Sequence, residues 1–453
     1  MPEHENSARF LRAIWSAAGG DAALGSRVNF AEAGDLPSAF SVSDLAAGAV
    51  AAAALAVAEL AGSTAVTVDR RLASFWFGFS LRPQGWAPAP PWDPIAGDYA
   101  ASDGWIRLHT NAPRHRAAAL AVLGASGEKD AVTRAVAAWT ADDLEGAIVA
   151  GGGCAAALRS LAAWAEHPQG KAIAAEPLVL RSEGDGAGRT AASADPSRPL
   201  AGVKVLDLTR VLAGPVATRF LAGYGADVLR IDPPDWDEPA ITPEVTLGKR
   251  CARLDLRDAD ARQTLLGLLA EADVIVHGYR PGALEHLGLG AAARRAARPG
   301  LIDVSLDAYG WTGPWSGRRG FDSLVQMSAG IAEAGMRRAG ADRPTPLPVQ
   351  ALDHATGYIL ATAAVRGLSA RRAAGAGSTW RASLARTAAL LASAPASGAS
   401  QPFADRSDAD LATGVETTAW GLARRLKPPV AIEGAPMRWD RPAADLGSSP
   451  ARW

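Results

Sequence analysis

From residue 203 to 306 the chain alternates short apolar runs with amphipathic stretches. VKVLDL (203–208) is followed by a helical pattern through VATRFLAGYG, then by DVLRID (227–232), which Pro233 and Pro234 stop. The unit recurs as ARQTLLGLLAEA, DVIVHG (273–278), ARRAA and LIDVSL (301–306). Runs apolar on both faces, separated by helices, predict parallel strands in a doubly wound α/β sheet, a Rossmann-like domain. Residues 181–199, rich in Gly, Ser, Ala and Asp, read as a linker, with a smaller α+β region over 1–180 ahead of it. Two long apolar helices stand out. One covers 45–62, mostly Ala with Asp44 at its start and Glu59 near its end, and reads as buried rather than membrane-spanning. The other covers 348–368 and opens on Asp353 and His354.

These two helices echo each other. FSVSDLAAGAVAAAALAVAELAG (40–62) and PVQALDHATGYILATAAVRGLSA (348–370) both carry an Asp, then Gly four residues on, then an apolar run. The segments after them also match loosely, STAVTVDRRLASFWF (63–77) against GSTWRASLARTAALL (377–391), so a partial duplication or a rearranged pair of half-domains is expected. On its own residues, Asp353 reads most simply as a helix cap, and as a reactive carboxylate second.

Composition narrows the field. The 453 residues are 48% hydrophobic and 21% charged with a net charge of −1, which suits two or three soluble domains and gives no reason for a nucleic-acid or membrane partner. Arg outnumbers Lys and Ala is abundant, as in GC-rich bacterial genes. Cys154 and Cys251 cannot build a disulfide framework and lack metal-site spacing, so no metal is expected and a reducing cytoplasm is the default. The turn after VLDLTR has no G-x-G-x-x-G, and no P-loop, H-E-x-x-H or G-x-S-x-G occurs.

The motifs PLAGVKVLDLTRVLAGPVATRFLAGYGADVLRIDPP, GKRCARLDL, HGYRPGALEHLGLG and GLIDVSLDAYGWTGPWSGRRGFDSLVQMSAG, in this order, resemble the class III CoA-transferases over about residues 199–392. IAGDYAASDGWIRLHTNAPRHRAAALAVLGA and the stretch from ADDLEGAIVA onward resemble the family's small domain, which normally follows the large one; here it comes first. The division implied is a small-domain-like region over 1–180 holding a degenerate copy of the catalytic-helix segment, the linker 181–199, a CoA-binding large domain over 200–392, and an extension over 393–453 packed on it.

The resemblance implies that Asp353, in its D-x-x-T-G context, is the nucleophile, with Asp44 as the competing candidate. It implies transfer of CoA from an acyl-CoA to a small carboxylic acid through covalent aspartyl intermediates. CoA is then a substrate, with no permanently bound cofactor. The CoA contacts implied are Arg210, Val211, Leu212 and Ala213 after the first strand, and Ile231, Asp232 and Pro233 after the second. Lys249 and Arg250 follow in the basic segment, then His277, Gly278, Tyr279 and Arg280, and His286 where many relatives carry Arg. Lys249 and Arg250 would face phosphates; read without the family they are a solvated pair. The family's glycine-rich loop has no match ahead of DGWIRL, and Phe321 stands where the racemase branch has His. Rival readings are therefore a racemase, isomerase or lyase acting on acyl-CoA, and a CoA-binding paralogue without turnover. The resemblance further implies a homodimer with interlocked chains.

Overall fold

The structure, a computed structural model, describes residues 4–186, 193, 195–394 and 401–453. Its largest sheet has seven strands: β1 (Leu180–Gly186), β2 (Lys204–Leu208), β3 (Asp227–Asp232), β4 (Lys249–Arg253), β5 (Val274–His277), β6 (Ile302–Asp307) and β7 (Ala376–Ser383). Their spatial order is β4-β3-β2-β5-β6-β7-β1. All neighbours run parallel except β1, which is antiparallel to β7 at the edge. The doubly wound α/β domain read from the sequence is thus present. Strand order reverses between β2 and β5, and a crevice opens there at the carboxyl ends of the strands.

The continuous apolar runs have the reason expected of them, because both sheet faces are covered. Successive residues of one strand enter different cores: Val205, Val274 and Val276 point to one side, Leu206 and Ile275 to the other. The first side is covered by α4 (Ala213–Gly223) and α6 (Ala351–Ala374), and α7 (Leu384–Ala392) follows β7. α1 (Glu5–Ala17), α2 (Val42–Ala61) and α3 (Pro113–Leu123) precede these in the chain, and α5 (Asp322–Ser328) lies between α4 and α6. α6 crosses α4 very closely. A Cβ at Gly357 would lie 2.5 Å from the Ala213 carbonyl oxygen and 2.9 Å from Val216.

Ahead of the large sheet, Gly97–Ala100, Trp105–Leu108 and Ala155–Ala157 form a small antiparallel sheet. Its own core includes Tyr99, Ile106, Leu108, Leu144 and Ile148. Further upstream Val28–Ala31 runs parallel to Val66–Asp69. α2 is apolar and long enough to cross a membrane by length and composition, yet 83% of that window is buried inside the protein, as its Ala-rich sequence predicts.

Two expected boundaries change. The 181–199 segment does not begin as a free linker: nearly all of β1 lies in it, hydrogen-bonded along β7, and residues 187–192 and 194 lie outside the described residues. Polar residues at a sheet edge need no apolar alternation, which is why the strand was hidden. The C-terminal extension packs on both halves. Val430–Ile432 pairs with Val66–Asp69 and Gly421–Arg425 with Leu81–Pro83, while the Trp439 indole donates to the Arg219 carbonyl at 2.9 Å.

The α4–α6 crossing makes a direct test. Gly357→Ala should lower unfolding free energy by about 1–3 kcal/mol, the usual cost of overpacking, read from urea unfolding; Gly146→Ala, where no atom lies within 4 Å, should not.

Candidate active site

Asp353 is the third residue of α6, and the helix cap is not its own side chain. Gln350 precedes the helix without a side-chain cap. Instead the buried Asp322, opening α5, accepts the backbone N–H groups of Leu352 and Asp353 at 2.8 and 2.9 Å. Gln326 binds the other oxygen of Asp322. The amides of Ala351 and His354 go to Val349 and Gln350 carbonyls. The capping task is filled by another residue, and the Asp353 carboxyl is left for the crevice.

Burial pushes Asp322 up to about 6, and it raises Asp353 well above the ordinary carboxylate value, the charge of Asp322 adding to the effect. Asp322 has two amides and Gln326 to hold its charge, whereas Asp353 has burial and a like charge. Of the two, Asp353 therefore holds its proton to the higher pH. His354 points away from it: the ring is buried, stacked on Phe77 with centroids 5.2 Å apart, and burial pulls its pKa down to about 3.

Asp353 opens on a cleft of about 290 Å³ at the switch point of the sheet. Leu208, Arg210, Gly278, Tyr279 and Asp307 supply the strand-end side of its wall, while Arg114, His115, Arg319 and Phe321 come from α3 and the loop before α5. Arg318 also reaches the cleft but is paired with Glu145 at 2.9 Å. Arg114, Arg210, Arg280 and Arg319 line it with no ion-pair partner among the described residues. Arg210 lies over Trp236 and Tyr279, at 5.1 and 5.4 Å from the ring centroids. Burial raises Asp307 to about 8, so neither carboxyl in the cleft opposes the arginines at neutral pH. The cleft is built for an anion.

The turn entering it is strained. Val211 has φ 65°, a left-handed backbone that a β-branched residue rarely adopts. Glu238 fixes it by accepting the Val211 N–H at 2.9 Å and the Trp236 indole at 3.0 Å, and Arg230 in turn pairs with Glu238 and Asp232. α4 begins just beyond, at Ala213 on the cleft wall, with no side-chain cap.

Of the residues expected from the sequence, Asp353, Arg210, Val211, Ala213, Gly278, Tyr279 and Arg280 converge on this cleft. His277 does not; it faces an adjoining cavity shared with Tyr279 and Arg280 and lies 3.2 Å from Asp303, which Arg294 also holds. The phosphate role expected of Lys249 and Arg250 is corrected. Lys249 is buried, its ammonium 2.9 Å from Asp207 and 3.0 Å from the Pro215 carbonyl. Arg250 pairs with Asp227, at the amino end of β3, at 2.7 Å. Asp232 is consumed by its ion pair with the buried Arg230, Ile231 is core, and Pro233 sends its carbonyl to Arg253. Leu212 precedes α4 without lining the cleft, and the exposed His286 folds back on the Gly282 carbonyl. Asp44, the competing aspartate, is held by the Ser7 hydroxyl at 2.7 Å and by Arg70 at 3.1 Å.

Arg114, His115, Trp236, Arg319, Asp322 and Glu238 were not marked by the sequence as site residues. Arg319 and Asp322 sit together in one motif that carries the resemblance, GRRGFDSLVQ, and Arg114 and His115 in the small-domain motif, at NAPRHR. Among the described residues no cluster could hold a metal ion.

Residues 200–415 match the model of CoA-transferase family III. The chain is 35% identical over 190 residues to a probable fatty acyl-CoA transferase of Mycobacterium tuberculosis, covering 39% of this chain and 48% of that protein. It is 34% identical over 205 residues to succinyl-CoA:glutarate CoA-transferase of Mus musculus, covering 42% and 46%. The chain therefore spans about half the length of these relatives. A crystal structure of a CAIB/BAIF family protein from Brucella suis aligns at 25% identity with a TM-score of 0.37, over 50% of this chain and 65% of that one.

The cleft predicts its own ligand chemistry. Inorganic diphosphate titrated calorimetrically should bind, and Arg210→Gln or Arg280→Gln should weaken binding tenfold or more, the loss of one charge-assisted bond of about 1.5–3 kcal/mol. Arg250→Gln, remote from the cleft, should bind as the parent does.

Proposed function

We propose, with the CoA-transferase family III match over residues 200–415 as the premise, that the protein moves CoA from an acyl-CoA to a small carboxylic acid through Asp353. One observation carries this reading: a buried carboxyl with no cation beside it, freed of capping by Asp322, opens on a cleft lined by unpaired arginines.

In this scheme Asp353, once deprotonated, attacks the thioester carbonyl. The C–S bond breaks, giving a mixed anhydride and the CoA thiolate. The thiolate attacks the aspartyl carbonyl, releasing the donor acid and leaving an aspartyl-CoA thioester. The acceptor carboxylate attacks that thioester, expels the thiolate again, and the thiolate takes the new acyl group while Asp353 is regenerated. Arg210 and Arg280 suit the CoA phosphates, and the uncapped start of α4 at Ala213 supplies backbone donors for the developing oxyanion. The α6 amides cannot serve there, because Asp322 and the preceding turn already hold them. Desolvated and unpaired, Asp353 is a stronger nucleophile once ionised than a salt-bridged carboxylate would be.

A second chemistry has one observation in its favour. His115 lines the same cleft as Asp353, and burial lowers its pKa to about 4, so it is a neutral imidazole at neutral pH. That pair would suit proton exchange at the acyl α-carbon, as in a racemase or isomerase.

Incubation with acyl-CoA and hydroxylamine separates these. A transferase yields a protein hydroxamate at Asp353; Asp353→Ala abolishes it and lowers transfer by on the order of 1,000-fold or more. Solvent deuterium entering the α-carbon without hydroxamate selects the proton-exchange chemistry, and CoA binding with neither signal selects a non-catalytic binder.

The pH profile follows from the raised Asp353. Activity should fall as pH drops through its elevated pKa, since only the carboxylate attacks. Asp322→Asn keeps an acceptor for the amides but removes the like charge, so Asp353 becomes more acidic and the acid limb of kcat should move to lower pH.

A further inference from the structure

The echo between the two long helices extends to three dimensions. α2 begins after Ser41 at φ −74°, ψ 60°, and α6 after Gln350 at φ −74°, ψ 64°. They end on left-handed glycines, Gly62 at φ 74° and Gly375 at φ 77°. Each feeds a strand with a parallel neighbour, Val66–Asp69 beside Val28–Ala31 and β7 beside β6. Each strand closes on a residue whose side chain caps the next helix three residues on, Asp69 on Leu72 and Ser383 on Arg386. The helix ahead is matched as well. A Cβ at Gly48 would lie 2.7 Å from Phe10 and 2.8 Å from the Ser7 carbonyl oxygen of α1, just as one at Gly357 would meet Ala213 of α4. α2 and α6 then pack on one another, with Phe77 stacked on His354 and Tyr358.

The two aspartates differ in what surrounds them. Asp44 is answered by Ser7 and Arg70, and Arg70 also holds Asp35. Asp353 has no cation beside it among the described residues and faces the cleft. The small sheet that follows the first copy does not serve Asp44. Instead it sits on the elements around Asp353: His109 stacks on Phe321 at 3.7 Å, Arg318 pairs with Glu145, and the Arg159 amide donates to the Met327 carbonyl. From there α3 delivers Arg114 and His115 to the cleft wall.

We infer that residues 5–77 are a second copy of the Asp353-bearing segment, retired at Asp44 and kept as a wall, so that one chain closes one complete site by itself. Arg114 is the anion-binding residue that this arrangement contributes in cis. The covering that a second copy would otherwise give to α6 is given by α2. The inference rests on the transferase reading for its activity readout only.

Mixing two disabled chains tests it. Asp353→Ala and Arg114→Glu are unfolded together and refolded as an equimolar mixture, with each chain's fold checked by circular dichroism. A site closed in cis gives no more activity than the two chains refolded separately. Recovery of a sizeable part of the parental activity shows a site shared between chains and overturns the inference, as does an Arg114→Glu chain with parental turnover. Asp44→Asn should give the parental hydroxamate yield per folded chain; loss of that yield with the fold intact overturns the retirement of Asp44. A readout independent of turnover separates failure here from failure of the transferase reading. Diphosphate binding per chain should stay constant over a hundredfold dilution monitored by sedimentation, and a single-chain species that has lost binding overturns the inference.

Discussion

The Asp322 carboxylate seated on the first amides of α6 is the contact on which the site depends. A helix N-terminus must be satisfied, and Ser, Thr, Asp or Asn beside it is the usual answer. Here the answer comes from a residue about thirty positions upstream, so the aspartate on the helix itself is spared. The same contact adds to what burial does to the charge. With Asp322 ionised against the helix end, a second charge on Asp353 is further disfavoured, and its carboxyl keeps its proton to a higher pH than an ordinary carboxyl. Burial is the larger cause of the proton affinity at Asp353, and the residue that frees its geometry adds to it.

The basic and acidic residues that did not reach the cleft share a different fate. Asp207 sits under the strand ends with Lys249 at 2.9 Å and Thr218 at 2.6 Å; Arg230, Asp232 and Glu238 form a second buried group. Pairs of this kind are costly to desolvate and strongly destabilising to break, and they add little over a well-packed apolar core. Their value here is positional. Glu238 holds Val211 in a backbone conformation that valine disfavours, and that turn sets where Arg210 and the start of α4 meet the cleft.

The alternation of apolar runs was enough to read the parallel sheet, and the order of motifs was enough to place Asp353 after it. What could not be read was burial of charge. GKRC has the composition of an exposed basic turn, and nothing local says that Lys249 will find Asp207 across β3. β1 was lost because an edge strand of polar residues has no periodicity that differs from a linker. Arg114 and His115 were lost for another reason: they come from a distant segment whose docking on α5 is a property of surfaces, through rings and ion pairs such as His109–Phe321 and Arg318–Glu145.

The pairing of α2 with α6 also bears on how the polypeptide is made. α2 leaves the ribosome early, and the helix that covers it emerges about 300 residues later, roughly 15–60 seconds at ordinary elongation rates. Throughout that interval a helix of membrane-spanning length and apolarity has no native partner on that face. The strands at 66–69 and 81–83 wait longer still, for partners at 430–432 and 421–425. Synthesis of this fold therefore includes a window in which aggregation, chaperone capture and mistaken delivery to a membrane all compete with folding.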